Sequence, residues 1–249
     1  MKIVVVGANG YLGADLVSIA QKAGHEVRGT SRKPGSTEQA RFDISDRHTW
    51  GEIRDYSPDA LIWASKPSDD PDSPKQIAAF AEQVGDTRFV YMSSDVVLCA
   101  KTRKVASKLG DYARQKYQEQ LALQELPNTS IIVVGPIYGE NAQGIIDSRS
   151  QHLVENAGEA QQYWDNVFKT FVAVKGLART IIVNLDKTGL YFAGPPTAQS
   201  YYEFYNGRAA ELGLTTEITA SQADMAMLEE QGICKDTSYD TEPNRLWID

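Results

Sequence analysis

The sequence predicts an α/β fold built on a doubly wound parallel sheet, with a small region appended at its C-terminal end. Three observations point there. Short β-branched runs recur along the first half of the chain, amphipathic stretches of helical period separate them, and a glycine-rich turn joins the first run to the first such stretch.

The first strand is Ile3 to Val6, followed by Gly7 to Gly13 and a helical stretch, Ala14 to Ala23, in which Leu16, Ile19, Ala20 and Ala23 recur at helical spacing. Gly24 closes that helix. Further strands are expected at Glu26 to Thr30, Ala60 to Ala64, Phe89 to Ser93 and Ser130 to Val134, with a third strand ending near Phe42. Helices are expected around Pro74 to Val84 and Asp111 to Glu125, and the Ser, Asp and Pro-rich segment from Lys66 to Pro74 reads as surface connection. Strands that are apolar throughout suit a sheet covered on both faces. After Gly139 the rhythm changes, and aromatic residues cluster at Tyr163, Trp164, Phe168 and Phe171 and again at Tyr201, Tyr202, Phe204 and Tyr205. A late helix around Val172 to Leu185 and a strand at Gly189 to Ala193 return the chain to the sheet.

Composition narrows the function classes. The 249 residues, 42% of them hydrophobic, suffice to bury one substantial core. A net charge of -8 leaves no general basic field to hold nucleic acid or an anionic membrane, so the expected partner is a small molecule. Cys99 and Cys234 form no CxxC pair and read as two buried thiols in a reducing compartment. The three histidines, His25, His48 and His152, do not pair at ligand spacing, so no metal is expected. Met1 and Lys2 run straight into Ile3 to Val6, too short a run for a signal-peptide core or a membrane span; cytoplasmic residence is the default expectation.

The turn Gly7-Ala8-Asn9-Gly10-Tyr11-Leu12-Gly13 carries the first chemical signal. Directly after a strand and before a helix, Gly7 permits the tight bend, Gly10 lets the backbone approach a pyrophosphate, and Gly13 lets helix and strand pack closely. The helix start, with Asn9, Tyr11 and Leu12 beside it, offers free N-H groups and a partial positive charge to phosphates. This is the signature of a Rossmann sheet, and it divides the chain into a dinucleotide-binding core over residues 1–139 and a mixed substrate-binding region over 140–249.

The second strand ends at Thr30-Ser31-Arg32-Lys33, where a reader of NAD would present an acid to the ribose 2'-hydroxyl. A hydroxyl and two cations instead suit a 2'-phosphate, so NADP(H) is the expected cofactor; solvated loop charges are the alternative. Asp43, followed by Ile44, either accepts a hydrogen bond from the adenine amino group, with Ile44 against the ring, or caps the helix that begins near Asp46.

Tyr112 and Lys116 lie one turn apart on an expected helix, a single loop after the strand that ends in Ser93-Ser94-Asp95. Hydride delivered to a ketone carbon leaves an alkoxide that must receive a proton. Tyr112 is the expected donor, Lys116 the ammonium that lowers its pKa and binds the nicotinamide ribose, and Ser94 the hydroxyl that polarises the carbonyl.

Taken together, Gly7/Gly10/Gly13, Ser93-Ser94-Asp95 and the Tyr112 to Lys116 spacing resemble the extended short-chain dehydrogenase/reductase family, and within it the dTDP-4-dehydrorhamnose reductase and NAD-dependent epimerase branch. Three further stretches carry the resemblance through nearly the whole chain: Gly135-Pro136-Ile137-Tyr138-Gly139, Val172 to Leu185 before Gly189-Leu190-Tyr191-Phe192-Ala193-Gly194, and the tail Asp236-Thr237-Ser238-Tyr239-Asp240. The resemblance implies that Ser94, Tyr112 and Lys116 are the catalytic set and that Pro136 and Ile137 lie beside the nicotinamide. It also puts Ala64, Ser65 and Lys66 at the border of the cofactor, implies hydride transfer from NADPH to a keto group of a nucleotide-linked sugar, and allows a homodimer. Ser94, Asp95, Tyr112, Trp164, Phe168 and Tyr201 are the expected substrate contacts, with packing of the C-terminal region as the competing use of the aromatics. The match is weakest after Gly139, so the substrate class comes from the resemblance alone. The other readings are a sugar-nucleotide epimerase or dehydratase that retains its cofactor, and a non-catalytic NADP(H)-sensing regulator.

If Arg32 reads the 2'-phosphate, Arg32→Ala weakens NADPH binding at least about tenfold and leaves NADH nearly unchanged in a fluorescence titration. Equal weakening of both would assign Arg32 another role.

Overall fold

Strand β1 (Lys2–Val6) runs through the middle of the molecule and is followed by α1 (Tyr11–Lys22), β2 (Glu26–Ser31), β3 (Gln39–Arg41), α2 (Trp50–Tyr56), β4 (Ala60–Trp63), α3 (Ser73–Gln83), β5 (Arg88–Met92), α4 (Asp111–Leu123) and β6 (Thr129–Val134). The second part contains β7 (Ile137–Tyr138), α5 (Ser148–Glu155), β8 (Gln161–Trp164), β9 (Phe168–Lys169), β10 (Val172–Ala173), α6 (Val174–Val183) and β11 (Gly189–Gly194). It ends with β12 (Gln199–Ser200), α7 (Tyr201–Glu211), β13 (Ile218–Ser221), α8 (Met225–Glu230) and β14 (Arg245–Trp247). A computed structural model describes the chain except residues 34–38, 69, 102–109, 231–232, 240–241, 243 and 249 and the side chains of 100, 101 and 229, so Asp240 of the tail lies outside the described residues.

Eight strands form one sheet in the order β14-β11-β6-β5-β4-β1-β2-β3, each paired with its neighbour in parallel. The strand order reverses at β1, which opens a crevice at the carboxyl ends of β1 and β4, the usual ligand position in such sheets. Strand alternation feeds two cores. Ile3 and Val5 join Leu16 of α1 and Leu177 and Ile181 of α6 on one face, while Val4 and Val6 join Ile53 of α2, Phe80 of α3 and Leu123 of α4 on the other. Both faces are covered, which is why the central strands are apolar at consecutive positions.

Residues beyond Gly139 give β11 and β14 to the same sheet and build a small core of their own from Leu153, Phe171, Phe204, Tyr205 and Ala209. There Phe171 stacks on Phe204 with centroids 3.7 Å apart, and Tyr163 on Tyr205 at 3.8 Å.

Three expectations change. Helix α1 begins at Tyr11 rather than Ala14, because Gly10 is already its extended N-cap, so the last residues of the glycine turn are helical. The late helix begins at Val174 rather than Val172, because Val172 and Ala173 pair with β7. Cys99 and Cys234, expected as separate thiols, are joined in a disulfide with Cα atoms 5.7 Å apart. Their separation of 135 residues hides this in the sequence; the returning tail creates the proximity.

Among the described residues no helix is long and apolar enough to cross a membrane, and no group of three or more His, Cys, Asp or Glu could hold a metal ion.

Gly135, where β6 ends, packs so closely that an added Cβ would collide with the Thr170 carbonyl, whereas one at Gly207, inside α7, would meet nothing within 4 Å. Urea unfolding should therefore show opposite signs: Gly135→Ala destabilises by about 2 kcal/mol or more. Gly207→Ala stabilises by roughly 0.5–1 kcal/mol. Equal effects would contradict this packing.

Candidate active site

The glycine turn bends at Gly7, whose φ of +86° an L side chain rarely adopts. A Cβ there would stand 2.9 Å from the Ser65 amide nitrogen, so the end of β1 lies directly against the end of β4. At Gly13 a Cβ would collide with the Gly7 carbonyl, which ties α1 to its strand. Helix α1 has no side-chain cap at Gly10 and no acid in its first turn, a start that suits a pyrophosphate. Around it, Leu12 is buried, the Tyr11 hydroxyl donates to the Gly139 carbonyl, and the Asn9 amide bonds with Gln39, whose Nε2 donates to Asn9 Oδ1 at 2.7 Å.

Ser31 closes β2, and Arg32 and Lys33 are exposed just beyond it. Asp43 closes a turn onto Ser45, accepting from its amide at 3.0 Å and its hydroxyl at 2.7 Å. Capping of the short 3-10 turn Arg47–Thr49 falls to Asp46. Ile44 is buried in the core with Trp50 and Phe80, a packing role beside the one expected for it.

Ser94, Tyr112 and Lys116 come together at the carboxyl ends of β4 and β5. Lys116 is only 3% exposed, and its Nζ donates to the Met92 carbonyl at 2.8 Å and to the Ser65 carbonyl at 3.5 Å. Ser65 therefore touches both the glycine turn and the lysine. Tyr112 is 47% exposed at the start of α4, with Ser94 in hydrogen-bond contact. Its phenol is pushed above the usual tyrosine range, first by burial, which outweighs the Ser94 hydrogen bond, and further by the carboxylates of Asp95 and Glu119. The expected lowering of this pKa by Lys116 is thus not what the geometry produces, because the ammonium is aimed at backbone carbonyls. Burial also brings Lys116 itself down to about 8, against an opposing pull from Glu119.

Pro136 and Ile137 follow β6, where the Pro136 carbonyl accepts from the Val172 amide at 2.9 Å and Ile137 packs on the main core. Ala64 and Ser65 are half-buried at the end of β4, with Lys66 exposed beside them. Of the expected substrate contacts, Asp95 is buried, and its Oδ2 accepts from Thr237 Oγ1 at 2.5 Å and pairs with Lys169 Nζ at 3.3 Å. That carboxylate therefore stands behind Ser94 and braces its loop rather than facing open space. Tyr201 is half-buried at the start of α7, edge-on to Trp164 and Phe171 with centroids 6.2 and 5.6 Å apart. Burial raises its phenol, Arg149 lowers it, and Asp95 raises it, so Tyr201 lies within electrostatic range of the Ser94 loop. Phe168 is half-buried in β9, paired with Ser200.

The sequence matches the family model described as the NAD dependent epimerase/dehydratase family over residues 3–187. The chain belongs to that family. No curated protein matches it in sequence. Solved structures resemble its fold: a dTDP-4-dehydrorhamnose reductase from Clostridium acetobutylicum has a TM-score of 0.70 at 18% identity, covering 90% of this chain and 84% of that one. A dTDP-4-dehydrorhamnose reductase from Bacillus anthracis in complex with NADP gives 0.71 at 15% identity over 89% and 84%. The UDP-N-acetylglucosamine 4-epimerase from Bacillus cereus gives 0.66 at 18% identity over 93% and 90%. At these identities the likeness is one of fold. Family membership makes the chain a nicotinamide-nucleotide-dependent enzyme.

Sequence reading gave no role to four residues packed around these groups: Tyr91, Glu119, Lys169 and Thr237. Glu119 had a signal, since it lies three residues past Lys116 on the same helix face. Thr237 lies in the tail that carries the resemblance, though its contact with Asp95 was not legible there, and Lys169 had no signal, because only the fold brings the two to Asp95.

Between about pH 8 and its unfolded value of 10.5, Lys116 binds fewer protons folded than unfolded. Its penalty is fully present below that window and disappears as pH rises through it. In urea unfolding, wild type should gain up to about 3 kcal/mol on Lys116→Met across the window. A difference that stays flat or falls would contradict burial of the charge.

Proposed function

We propose that this chain is an NADPH-dependent reductase acting on a keto group of a nucleotide-linked sugar, with Tyr112 as proton donor. One observation carries the reading: the Ser65 backbone packs against Gly7 while its carbonyl receives Lys116, so lysine and glycine turn share one crevice. When bound, NADPH supplies the hydride. The N-H groups at the start of α1, with Gly7, Asn9, Gly10 and Gly13, hold its pyrophosphate, and Ser31, Arg32 and Lys33 take the 2'-phosphate. Asp43 and Ile44 border the adenine, while Ala64, Ser65, Lys66, Pro136 and Ile137 border the nicotinamide half.

Lys116 donates to the nicotinamide ribose and supplies positive charge beside the reacting oxygen. Ser94 donates to the carbonyl oxygen and polarises it. Tyr112 then gives its proton to the forming alkoxide, and a phenol held above its usual range is fully protonated at neutral pH, as a donor must be. Residues 140–249 supply the sugar side, with Trp164, Phe168 and Tyr201 at its wall.

The family description favours a second reading, an epimerase or dehydratase that keeps its cofactor and uses it twice. The absence of an acid in Ser31-Arg32-Lys33 favours the reductase, since such an enzyme exchanges NADPH at each turnover.

With a nucleotide-linked keto sugar as substrate, Tyr112→Phe should lower kcat by about 10²-fold or more while leaving NADPH affinity within about threefold. Ordinary turnover by this variant in an NADPH-oxidation assay would remove Tyr112 from the chemistry. Nucleotide-sugar conversion without net NADPH consumption would favour the second reading.

A further inference from the structure

Behind the catalytic helix lies a buried polar cluster to which the reductase reading gives no role. Glu119 is 1% exposed, inside the contact between α3 and α4. Its Oε1 accepts from the Ser73 hydroxyl at 2.9 Å and its Oε2 from the Tyr91 hydroxyl at 2.5 Å. Tyr91 is wholly buried, and its ring carries the Lys116 ammonium 4.5 Å from the centroid. Glu119 and Lys116 thus meet on one phenol, the carboxylate at its hydroxyl and the ammonium over its ring.

A carboxylate in such a place demands a reason. Burial of an isolated charge is costly, and a neutral side chain of the same shape would satisfy Ser73 and Tyr91 equally well, because both hydroxyls can turn to donate or accept. What only the charged form supplies is a field at Lys116. The other ionisable groups around the lysine do not replace it. Tyr91 and Tyr112 are phenols whose protons burial retains, and the Asp95 charge is matched by Lys169 on the far side of Ser94.

We propose that Glu119 is a positioning residue for the reaction: from the hydroxyl end of Tyr91, its buried carboxylate keeps Lys116 an ammonium and holds it toward Ser65 and the glycine turn. This rests on the reductase reading for its purpose but not for its test. Burial alone works against the charged lysine and Glu119 works for it, so the direction agrees with the geometry.

The test follows Lys116 directly, by 13C NMR of the Cε resonance in lysine-labelled protein without cofactor or substrate, with Lys116→Met used for assignment. Wild type should titrate near 8. Glu119→Gln, isosteric and able to bond both hydroxyls, should raise the acid dissociation constant of Lys116 about tenfold. Should that variant not fold, Glu119→Asp draws the charge back by one methylene and should raise the constant about two- to threefold. The alkaline limb of kcat/KM for NADPH-linked reduction should move to lower pH by the same factor, which a loss of packing would not cause. A Lys116 midpoint unchanged in whichever variant folds overturns the proposal. If the midpoint moves but no keto sugar is reduced, the fault lies with the reductase reading and the coupling stands.

Discussion

The close approach of Gly7 to Ser65 is the constraint on which the rest of the site depends. The end of β1 can lie against the end of β4 only because Gly7 has no side chain and accepts a positive φ. The Ser65 carbonyl is thereby presented to Lys116, and Ser94 follows from the next strand over. The parallel register does the remaining work: Val6 pairs with Trp63 and Trp63 with Tyr91, so all three strands end at one level. Side chains that follow those ends meet without any long-range design beyond the sheet itself.

Much of this could be read from the residues because it is local. Apolar runs, helical spacing and the glycine turn each express backbone geometry over fewer than about 20 residues, and the order of such units restricts the sheet to few topologies. The strands from Ile3 to Val134 accordingly lie within a residue or so of where pattern reading puts them. After Gly139 the elements are short, and pairs such as β8 with β13 or β9 with β12 join residues far apart in sequence, which no local pattern expresses. The Cys99–Cys234 link and the Asp95, Lys169 and Thr237 cluster belong to the same class. Burial, too, was hidden: Asp95 reads as a polar loop residue beside Ser94, yet it is enclosed by a lysine from β9 and a threonine from the tail.

Two buried charged groups flank the proposed centre, and they differ in kind. The Asp95 to Lys169 pair matches charge with charge, so breaking either half would leave the other unpaired in the interior, and it fastens the tail and the C-terminal region to the Ser94 loop. Lys116 and Glu119 instead share one phenol, the carboxylate bonded to the Tyr91 hydroxyl and the ammonium over its ring, and burial brings the lysine down to about 8 against the pull of Glu119. A fixed brace on one side and a tunable cation on the other suit a site where one hydroxyl must stay put while charge is drawn toward a developing alkoxide.

The most direct test is a crystal structure of the chain with NADPH. The account predicts the pyrophosphate at the start of α1, the nicotinamide ribose within hydrogen-bond reach of Lys116 Nζ, and the Tyr112 hydroxyl beside the nicotinamide ring. A nicotinamide bound away from Ser65, with Tyr112 and Lys116 facing empty solvent, would contradict it.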